Sequence, residues 1–281
     1  MGKDAWRKAG KNEFHQAEEF LRAREKFCVS ASSRFLHIKE GSGHVWQLKN
    51  RSDNARALLL HYKQSLFPVF NKNNDVPGPR FLNRFLGKVN IHALQGLKED
   101  VETLENLMEQ QSYYVAERIN YDLMSLEDMP NIENLKENIP GLLIRLPLPK
   151  DTEELYKLQS AYEKEEVVPK TGQFDPVSCR YNLQRILTNE KILVAEMDGR
   201  VVGKINTSSR SFAWYQIGGV YVNPEYRNRG IAVKMTAVFL SELLNLGMKI
   251  SLFVKKHNLS AKAVYKKLGF TFSGDYRISY Y

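Results

Sequence analysis

The stretch from Gly219 to Ala232 reads GVYVNPEYRNRGIA and is the most informative part of this 281-residue chain. An apolar strand through Val220 and Val222 is followed by the basic turn Arg227–Gly230, and the sequence after the turn has a helical pattern. Such a turn leaves backbone N–H groups unpaired at the start of a helix, where the helix dipole favours negative charge. The two arginines add positive charge at the same point. This stretch therefore predicts a site for a diphosphate group.

The spacing of the glycines excludes two common phosphate-binding motifs. The chain has no Gly-x-x-x-x-Gly-Lys-Ser/Thr loop, and the dinucleotide pattern that starts at Gly41-Ser42-Gly43 ends on Trp46. What remains is Arg227-x-x-Gly230-x-Ala232. This pattern resembles the acyl-coenzyme A loop of the GNAT N-acetyltransferase superfamily, which reads Gln/Arg-x-x-Gly-x-Gly/Ala.

A second pattern follows downstream. The segment Ile231–Leu246 has the apolar spacing of a helix with one buried face, and Ile250–Val254 reads as a buried strand. The run Asn258-x-x-Ala261-x-x-x-Tyr265-x-x-x-Gly269-Phe270 is then similar to the second GNAT signature, Asn-x-x-Ala-x-x-x-Tyr-x-x-x-Gly-Phe. The two patterns occur in the family's order, with a helix and a strand between them.

The element order of residues 141–281 agrees with this resemblance. A strand is predicted at Leu142–Leu148, a helix capped by Asp151 reaches about Glu166, and a second helix runs from Asp175-Pro176 to about Asn189. Three strands, a helix, a strand, a helix and a strand follow. The expected fold class is α/β (α+β), with a GNAT-type mixed sheet flanked by helices in a domain at 141–281.

Residues 1–130 are predicted to form an α/β domain of their own. An amphipathic helical segment at Glu13–Phe35 precedes strands that include Ala55–Tyr62 and Leu66–Phe70. The apolar runs around these strands resemble the N-terminal half of tandem GNAT-like proteins, in which a degenerate acetyltransferase-like domain precedes the active one. The segment Asp128–Pro140 is the predicted linker. Since residues 1–125 offer no second phosphate turn, one coenzyme site is expected.

The resemblance implies a set of residues that bind acetyl-CoA or another acyl-CoA. Backbone groups of Val220 and Val222 would meet the pantetheine arm, and the loop from Arg227 to Ala232 would hold the diphosphate. A solvated surface turn is the alternative for this loop. The predicted coenzyme-binding residues are Val220, Val222, Arg227, Asn228, Arg229, Gly230, Ile231, Ala232, Asn258 and Tyr265.

Two of these residues have structural alternatives. Asn258 would contact the coenzyme in the family, and it is also a good N-cap for a helix that begins near Ser260. Tyr265 would protonate the departing thiolate in the family, which is feasible because a thiol titrates near ~8.5 and a phenol near ~10. A buried structural tyrosine is the alternative.

The sequence leaves the general base open. An amine acceptor has a pKa of about 10, so a base must remove its proton before attack. The strand Ala213–Val222 contains Gln216 and no acid, where many relatives have glutamate. Glu166 is the first candidate base and Glu165 the second, with a solvated helix end as the alternative for both. His257 is interpreted as a surface residue.

Composition sets wider limits. The net charge of +9 and the pI near 9.3 suit an anionic ligand, and an apolar fraction of 43% suffices for real cores. Nucleic acid is a weak candidate partner because no recognition motif stands out. The two cysteines have no metal-binding spacing, so no metal is predicted and a reduced cytoplasmic setting is expected. No apolar run is long enough to span a bilayer.

The sequence thus favours an acyltransferase that moves an acetyl or other short acyl group from acyl-CoA to an amine within a ternary complex. The alternative is a coenzyme A-binding sensor or interaction module without catalysis. The amine acceptor, the acyl chain length and the oligomeric state are left open.

Overall fold

The computed structural model describes residues 6–50, 52–71, 75–128 and 138–281. The chain divides into two compact units, one of Met1–Leu123 with Ser273–Tyr281 and the other of Met124–Phe272. The first unit thus takes in the C-terminal residues. The domain limits expected from the sequence, 1–130 and 141–281, stay predictions. Most of the predicted linker Asp128–Pro140 lies outside the described residues.

The first unit is a mostly antiparallel sheet with four helices. Its strands lie in the order β1-β2-β3-β4-β5-β12-β6. The pair β4 and β5 is parallel, and its pairing covers only Ser65–Leu66 against Ala93–Leu94. The elements are β1 (Arg7–Lys8), α1 (Phe14–Arg22), α2 (Val29–Lys39), β2 (His44–Lys49), β3 (Ala55–Tyr62), β4 (Ser65–Phe70), α3 (Pro79–Leu86), β5 (Ala93–Leu97), α4 (Lys98–Glu109), β6 (Glu117–Leu126) and β12 (Thr271–Tyr280).

The apolar run Leu58–Leu60 in β3 lies at the centre of this unit, and all three side chains are fully buried. A strand that is covered on both faces needs apolar residues at successive positions rather than at alternate ones. Helices α1 and α2 pack on β3, and Leu59 shares a core with Leu82 of α3 and Leu104 of α4. Both faces of β3 are therefore covered, as its sequence requires.

The amphipathic segment Glu13–Phe35 forms two helices rather than one. It is divided into α1 and α2, with a 3₁₀ turn at Glu25–Phe27 between them. Glu25 and Cys28 are buried at this break, and the Cys28 thiol donates to the Arg24 carbonyl at 3.3 Å. The apolar spacing could not reveal the break because both helices continue it.

The first unit also contains a cavity of about 760 Å³. The ends of β4 and β5 line it together with the first turn of α4. Among its lining residues is Asp100, a buried carboxylate that accepts a hydrogen bond from the Phe70 amide at 3.3 Å. Burial raises the pKa of Asp100 to about 7.

The second unit has a sheet whose strands lie in the order β11-β10-β9-β8-β7. The strands are antiparallel except for the parallel pair β10 and β11. The elements are β7 (Leu142–Arg145), α5 (Thr152–Tyr162), α6 (Pro176–Asn189), β8 (Ile192–Met197), β9 (Arg200–Arg210), β10 (Trp214–Val222), α7 (Ile231–Asn245), β11 (Lys249–Lys255) and α8 (Leu259–Lys267). The expected fold class, a mixed sheet flanked by helices, is confirmed.

Two cores hold this sheet between its helices. Helix α7 buries Met235 and Phe239 in one core with residues of β8, β9 and β11. Helices α5 and α6 form the other core, in which Leu155 and Ile186 pack with Val194. The helical spacing of α7 predicted its buried face correctly. Among the described residues, no helix is both long and apolar enough to cross a bilayer.

The helix that was expected to run from Asp151 to Glu166 differs in two ways. Its α-helical part ends at Tyr162 and continues as a π-helical turn over Glu163–Val167. Asp151 does not cap α5 through its side chain, because that carboxylate accepts from Arg145 at 2.6 and 3.0 Å and from the Leu148 amide at 2.7 Å. Arg145 lowers the pKa of Asp151 through these bonds. Asp175, where the second helix was predicted to begin, caps α6 by accepting a hydrogen bond from the Val177 amide at 3.0 Å.

A β-bulge interrupts the pairing of β10 with β9. Gly218 lies opposite Asn206 and Tyr221 lies opposite Lys204, so two residues of β10 face one residue of β9. Gly219, inside the bulge, has φ +59. A methyl group at this position would overlap the Asn206 side-chain oxygen and lie 2.7 Å from Lys204 Nζ.

We expect Gly219→Ala to lower the free energy of unfolding by about 1–3 kcal/mol, because it combines left-handed strain with these overlaps. Urea unfolding followed by circular dichroism measures the effect. Gly218→Ala is the matched control, since Gly218 lies outside the left-handed region and its nearest neighbour to a methyl group is at 3.4 Å. Equal stability of the two variants would contradict the role given to the bulge.

Candidate functional site

The parallel pair β10 and β11 separates after three residues. The pairing covers Trp214–Gln216 and Lys249–Ser251, whereas β10 stays paired with β9 as far as Val222. The second half of β10 therefore presents a backbone edge that is not paired with β11. Parallel strands that separate at their carboxyl ends are where open α/β sheets bind ligands.

The loop after β10 leads directly into α7. Asn223 fixes its start by accepting from the Glu225 amide at 3.1 Å, and Gly230 adopts φ +78 as the N-cap residue of α7. The Lys234 amide donates to the Gly230 carbonyl at 3.0 Å and so begins the helical hydrogen-bond pattern. Among the described residues, the amides of 230–233 have no hydrogen-bond acceptor. These donors at the positive end of the helix dipole can bind an anion.

The two arginines of the loop turn toward neighbouring groups. Arg227 donates through Nε to the Val222 carbonyl at 3.0 Å and through Nη2 to Glu165 at 3.1 Å. Arg229 donates to the Glu225 carbonyl at 3.2 Å, and its guanidinium lies 5.1 Å from the ring centre of Tyr226. Both arginines are exposed together with Asn228, whereas Ile231 is buried and Ala232 half-buried. The loop thus carries positive charge at the surface.

The π-helical turn at Glu163–Val167 supplies three carboxylates, each bonded to a different element. Glu163 is buried and accepts from Asn182 of α6 at 2.8 Å and from Gln159 at 2.7 Å. Glu165 accepts from Tyr221 at 2.5 Å and from Arg227. Such π-helical turns are common at functional sites.

Glu166 is the third carboxylate of this turn. It accepts from Asn258 Nδ2 at 3.0 Å and lies 3.5 Å from Lys255 Nζ. Lys255 also donates to the Glu165 carbonyl at 3.1 Å. The structure thus brings both candidate bases next to cations or amides at the ends of β10 and β11.

Asn258 performs the capping role that the sequence left as an alternative. Its side-chain oxygen accepts from the Ala261 amide at 3.0 Å, which caps α8, while its nitrogen donates to Glu166. Because the cap uses only the side-chain oxygen of Asn258, its nitrogen is free to bond Glu166, and Asn258 links α8 to the π-helical turn. Its assignment to coenzyme binding stays a prediction.

Tyr265 lies on α8 with 8% of its surface exposed and packs edge-on against Phe270 at 5.7 Å. Its hydroxyl has no hydrogen-bond partner among the described residues. Burial raises its pKa well above the ordinary value, and the nearby groups Tyr162 and Glu166 add to the shift. A phenol with a raised pKa keeps its proton at neutral pH but is a weaker acid than an exposed tyrosine.

Sequence reasoning missed two tyrosines of this site. Tyr162, at the end of α5, lies beside the Gly219 amide in the bulge, and burial raises its pKa to about 12. Tyr221 donates to Glu165, and burial followed by this bond raises its pKa to about 12. A signal for Tyr221 was present, since it alternates with the apolar Val220 and Val222 immediately before the loop.

The remaining predicted residues lie as follows. Val220 is half-buried beside the bulge and Val222 is buried at the end of β10. Gln216 is buried and donates to Ser208 at 3.2 Å, and His257 is exposed. Among the described residues, no group of three or more metal-binding side chains comes together.

The comparisons with known proteins agree with this architecture. Residues 152–270 match the family model described as the acetyltransferase (GNAT) family. This part of the chain is a GNAT domain. Among functionally curated proteins, none matches the sequence of this chain.

Solved structures extend the fold similarity beyond the GNAT domain. A Drosophila protein is 12% identical with a TM-score of 0.67, and the match covers 99% of both chains. A GCN5-related N-acetyltransferase from Sphaerobacter thermophilus is 16% identical with a TM-score of 0.61, over 98% of this chain and 94% of that one. A tandem GNAT protein from the clavulanic acid biosynthesis pathway is 11% identical with a TM-score of 0.61, over 98% of both chains. The family and the fold support acyl transfer as the general class of activity.

We expect Asn258→Ala to lower the local stability of α8 by about 0.5–2 kcal/mol, because the cap of the Ala261 amide is lost. Asn258→Ser is the matched control, since serine caps a helix well but is too short to bond Glu166 as Asn258 does. Hydrogen exchange of the α8 amides measures the difference. Equally fast exchange in both variants would show that the bond to Glu166, and not the cap, holds the helix.

Proposed function

We propose that this chain transfers an acetyl or other short acyl group from an acyl-CoA to an amine by direct attack within a ternary complex. The observation that carries this proposal is the edge of β10 left unpaired by β11, which leads into unbonded amides at the start of α7. An extended chain with an amide backbone suits the strand edge, and a diphosphate suits the helix start. Acyl-CoA combines both.

The proposed coenzyme contacts follow the loop. The amides of Gly230, Ile231 and Ala232 would bind the diphosphate, with Asn228 at the exposed turn. Arg227 and Arg229 would add positive charge, and backbone groups of Val220 and Val222 would bond the pantetheine arm. Asn258 and Tyr265 would lie beside the thioester end. Arg227 would have to exchange Glu165 for phosphate, a change of partner between two anions.

In the proposed reaction, protons move between the acceptor amine, a carboxylate and Tyr265. A carboxylate, first Glu166 and second Glu165, would take a proton from the ammonium form of the acceptor. The amine nitrogen would then attack the thioester carbon, the C–N bond would form and the C–S bond would break. Tyr265 would protonate the departing thiolate. The second amine proton would restore the Tyr265 phenol, and the carboxylate would pass the first one to solvent, so the balanced reaction releases one proton.

We also propose that the first unit is a degenerate GNAT-like domain without a coenzyme site. The similarity to a tandem GNAT protein over 98% of both chains supports a GNAT-like fold for this unit. Its loop between β4 and α3 has no counterpart of the Arg-x-x-Gly pattern. We further propose that the partner is an amine acceptor rather than nucleic acid. The proposed location is cytoplasmic.

Gly230→Glu should abolish thermal stabilisation by acetyl-CoA, because a carboxylate at the helix start would repel the diphosphate. Gly247→Glu is the matched control: it adds the same charge at a glycine with similar φ (+74 against +78), but after the other end of α7. The melting temperature with and without millimolar acetyl-CoA measures the effect. Failure of the unchanged protein to respond to the coenzyme would refute the proposal.

Glu166→Gln should lower the rate of thiol release with primary amines by about 10²–10⁴-fold if Glu166 is the general base. Glu165→Gln is the matched change in the same turn and should have the smaller effect. Coenzyme affinity, measured by calorimetry, should be unchanged or tighter in both, because Arg227 and Lys255 each lose an anionic competitor. Wild-type rates in both variants would exclude both carboxylates.

A sensor without catalysis is the second candidate function. It is favoured by the absence of a carboxylate from β10 and by the bonding of both candidate bases to other groups. Thiol release across a panel of amines separates the two functions. Coenzyme binding with no release for any amine would support the sensor.

A further inference from the structure

Lys204 is a fully buried lysine in the central strand β9. Burial of a charged ammonium group is costly, and an apolar residue of similar length would fill the same space at a lower cost. A lysine at such a position therefore needs an explanation in terms of the groups that surround it. Lys204 belongs to no recognisable motif, although it stands within the otherwise uncharged run Val201–Asn206.

Two oxygens bond the Lys204 amino group. Nζ donates to the Asn206 side-chain oxygen at 2.9 Å and to the carbonyl oxygen of Gly219 at 3.0 Å. Nζ also lies 5.0 Å from the ring centre of Tyr162, as in a cation–π contact. Lys204 thus bonds the carbonyl of Gly219 in the bulge.

The groups facing Lys204 come from three elements. Tyr162 ends α5, Glu163 begins the π-helical turn, and Cys179 lies on α6. Burial lowers the pKa of Lys204 to about 7, against the opposing attraction of Glu163 and Cys179. Burial raises the pKa of Cys179 above its ordinary value of 9.0 and that of Tyr162 to about 12.

The hydrogen bond from Lys204 to the Gly219 carbonyl also affects the Val220 N–H, because both groups belong to one peptide unit. The carbonyl of Gly219 and the N–H of Val220 belong to one trans peptide unit and point in opposite directions. A cation bonded to the carbonyl oxygen withdraws electron density from the whole unit, so the N–H becomes a stronger donor. Lys204 has no exposed surface and cannot itself touch a substrate.

We propose that Lys204 is a positioning residue for acyl transfer: it fixes the Gly219–Val220 peptide and polarises the Val220 N–H as a donor to the thioester oxygen. This inference rests on the proposed function. Donors aimed at the oxygen that becomes negative in the transition state are a major source of rate in acyl transfer. The charge on Lys204 would strengthen the Val220 N–H as a donor through its bond to the Gly219 carbonyl.

The carbonyl stretching band of bound acetyl-CoA tests this inference without turnover. Acetyl-CoA labelled with ¹³C at the thioester carbonyl is bound to the full chain, and isotope-edited infrared difference spectra are recorded. A stronger donor moves the band to lower wavenumber. We expect this shift in the wild type and in Lys191→Met, a control that removes one exposed lysine from the start of β8, and a smaller shift in Lys204→Met.

A pH series on the wild type gives the same test without a variant, which decides the matter if Lys204→Met fails to fold. Raising the pH from 6 to 9 should deprotonate Lys204 and move the carbonyl band to higher wavenumber. Lys191→Met should show the same pH-dependent shift as the wild type. A band that is independent of pH, or identical in Lys204→Met and the wild type while coenzyme binds both, overturns this inference alone. Absence of coenzyme binding to the wild type, measured by calorimetry, overturns the proposed function together with it.

Discussion

The second unit depends on the unequal pairing of the two edges of β10. One edge stays bonded to β9 as far as Val222, and the other is bonded to β11 only over Trp214–Gln216. An unpaired strand edge in the middle of a sheet is costly unless other groups satisfy its backbone. In the bulge, the Gly219 carbonyl is bonded by Lys204 of β9. The remaining edge stays available for a ligand with amide groups of its own.

The π-helical turn places carboxylates against two cations of this basic site. Glu165 bonds Arg227, and Glu166 contacts Lys255 and Asn258. Arg227 and Asn258 are proposed coenzyme contacts. Arg227 and Glu165 are each roughly half exposed, so their ion pair contributes little stability and is easily exchanged. Binding of a diphosphate would then release carboxylates at the place where an amine must lose a proton. The same contacts would link coenzyme binding to the availability of a base.

Local sequence patterns predicted the elements but not the bonds between distant ones. Helical spacing located α7, and the run Ala55–Tyr62 was predicted with its actual bounds, because burial imposes a regular pattern on neighbouring residues. The π-helical turn was predicted as ordinary helix, since one inserted residue per turn leaves the local composition unchanged. The contacts of Lys204 with Gly219 join residues 15 apart along the chain, across an irregular strand pair. No spacing rule specifies such a contact, although a lone charge in a buried strand signals that one exists.

The two units show why a similar strand arrangement need not bind the same ligand. In the first unit the parallel pair β4 and β5 is short as well, with two paired residues on each strand, and a cavity follows it. The helix after β4, however, begins with Pro79, which has no N–H to donate, and extends for only eight residues. Asp100 borders the cavity, and its carboxylate repels an anion at any pH at which the carboxylate is ionised. Backbone geometry provides a gap in each unit, but glycine, arginine and free amides at a helix start are what would make one of them a diphosphate site.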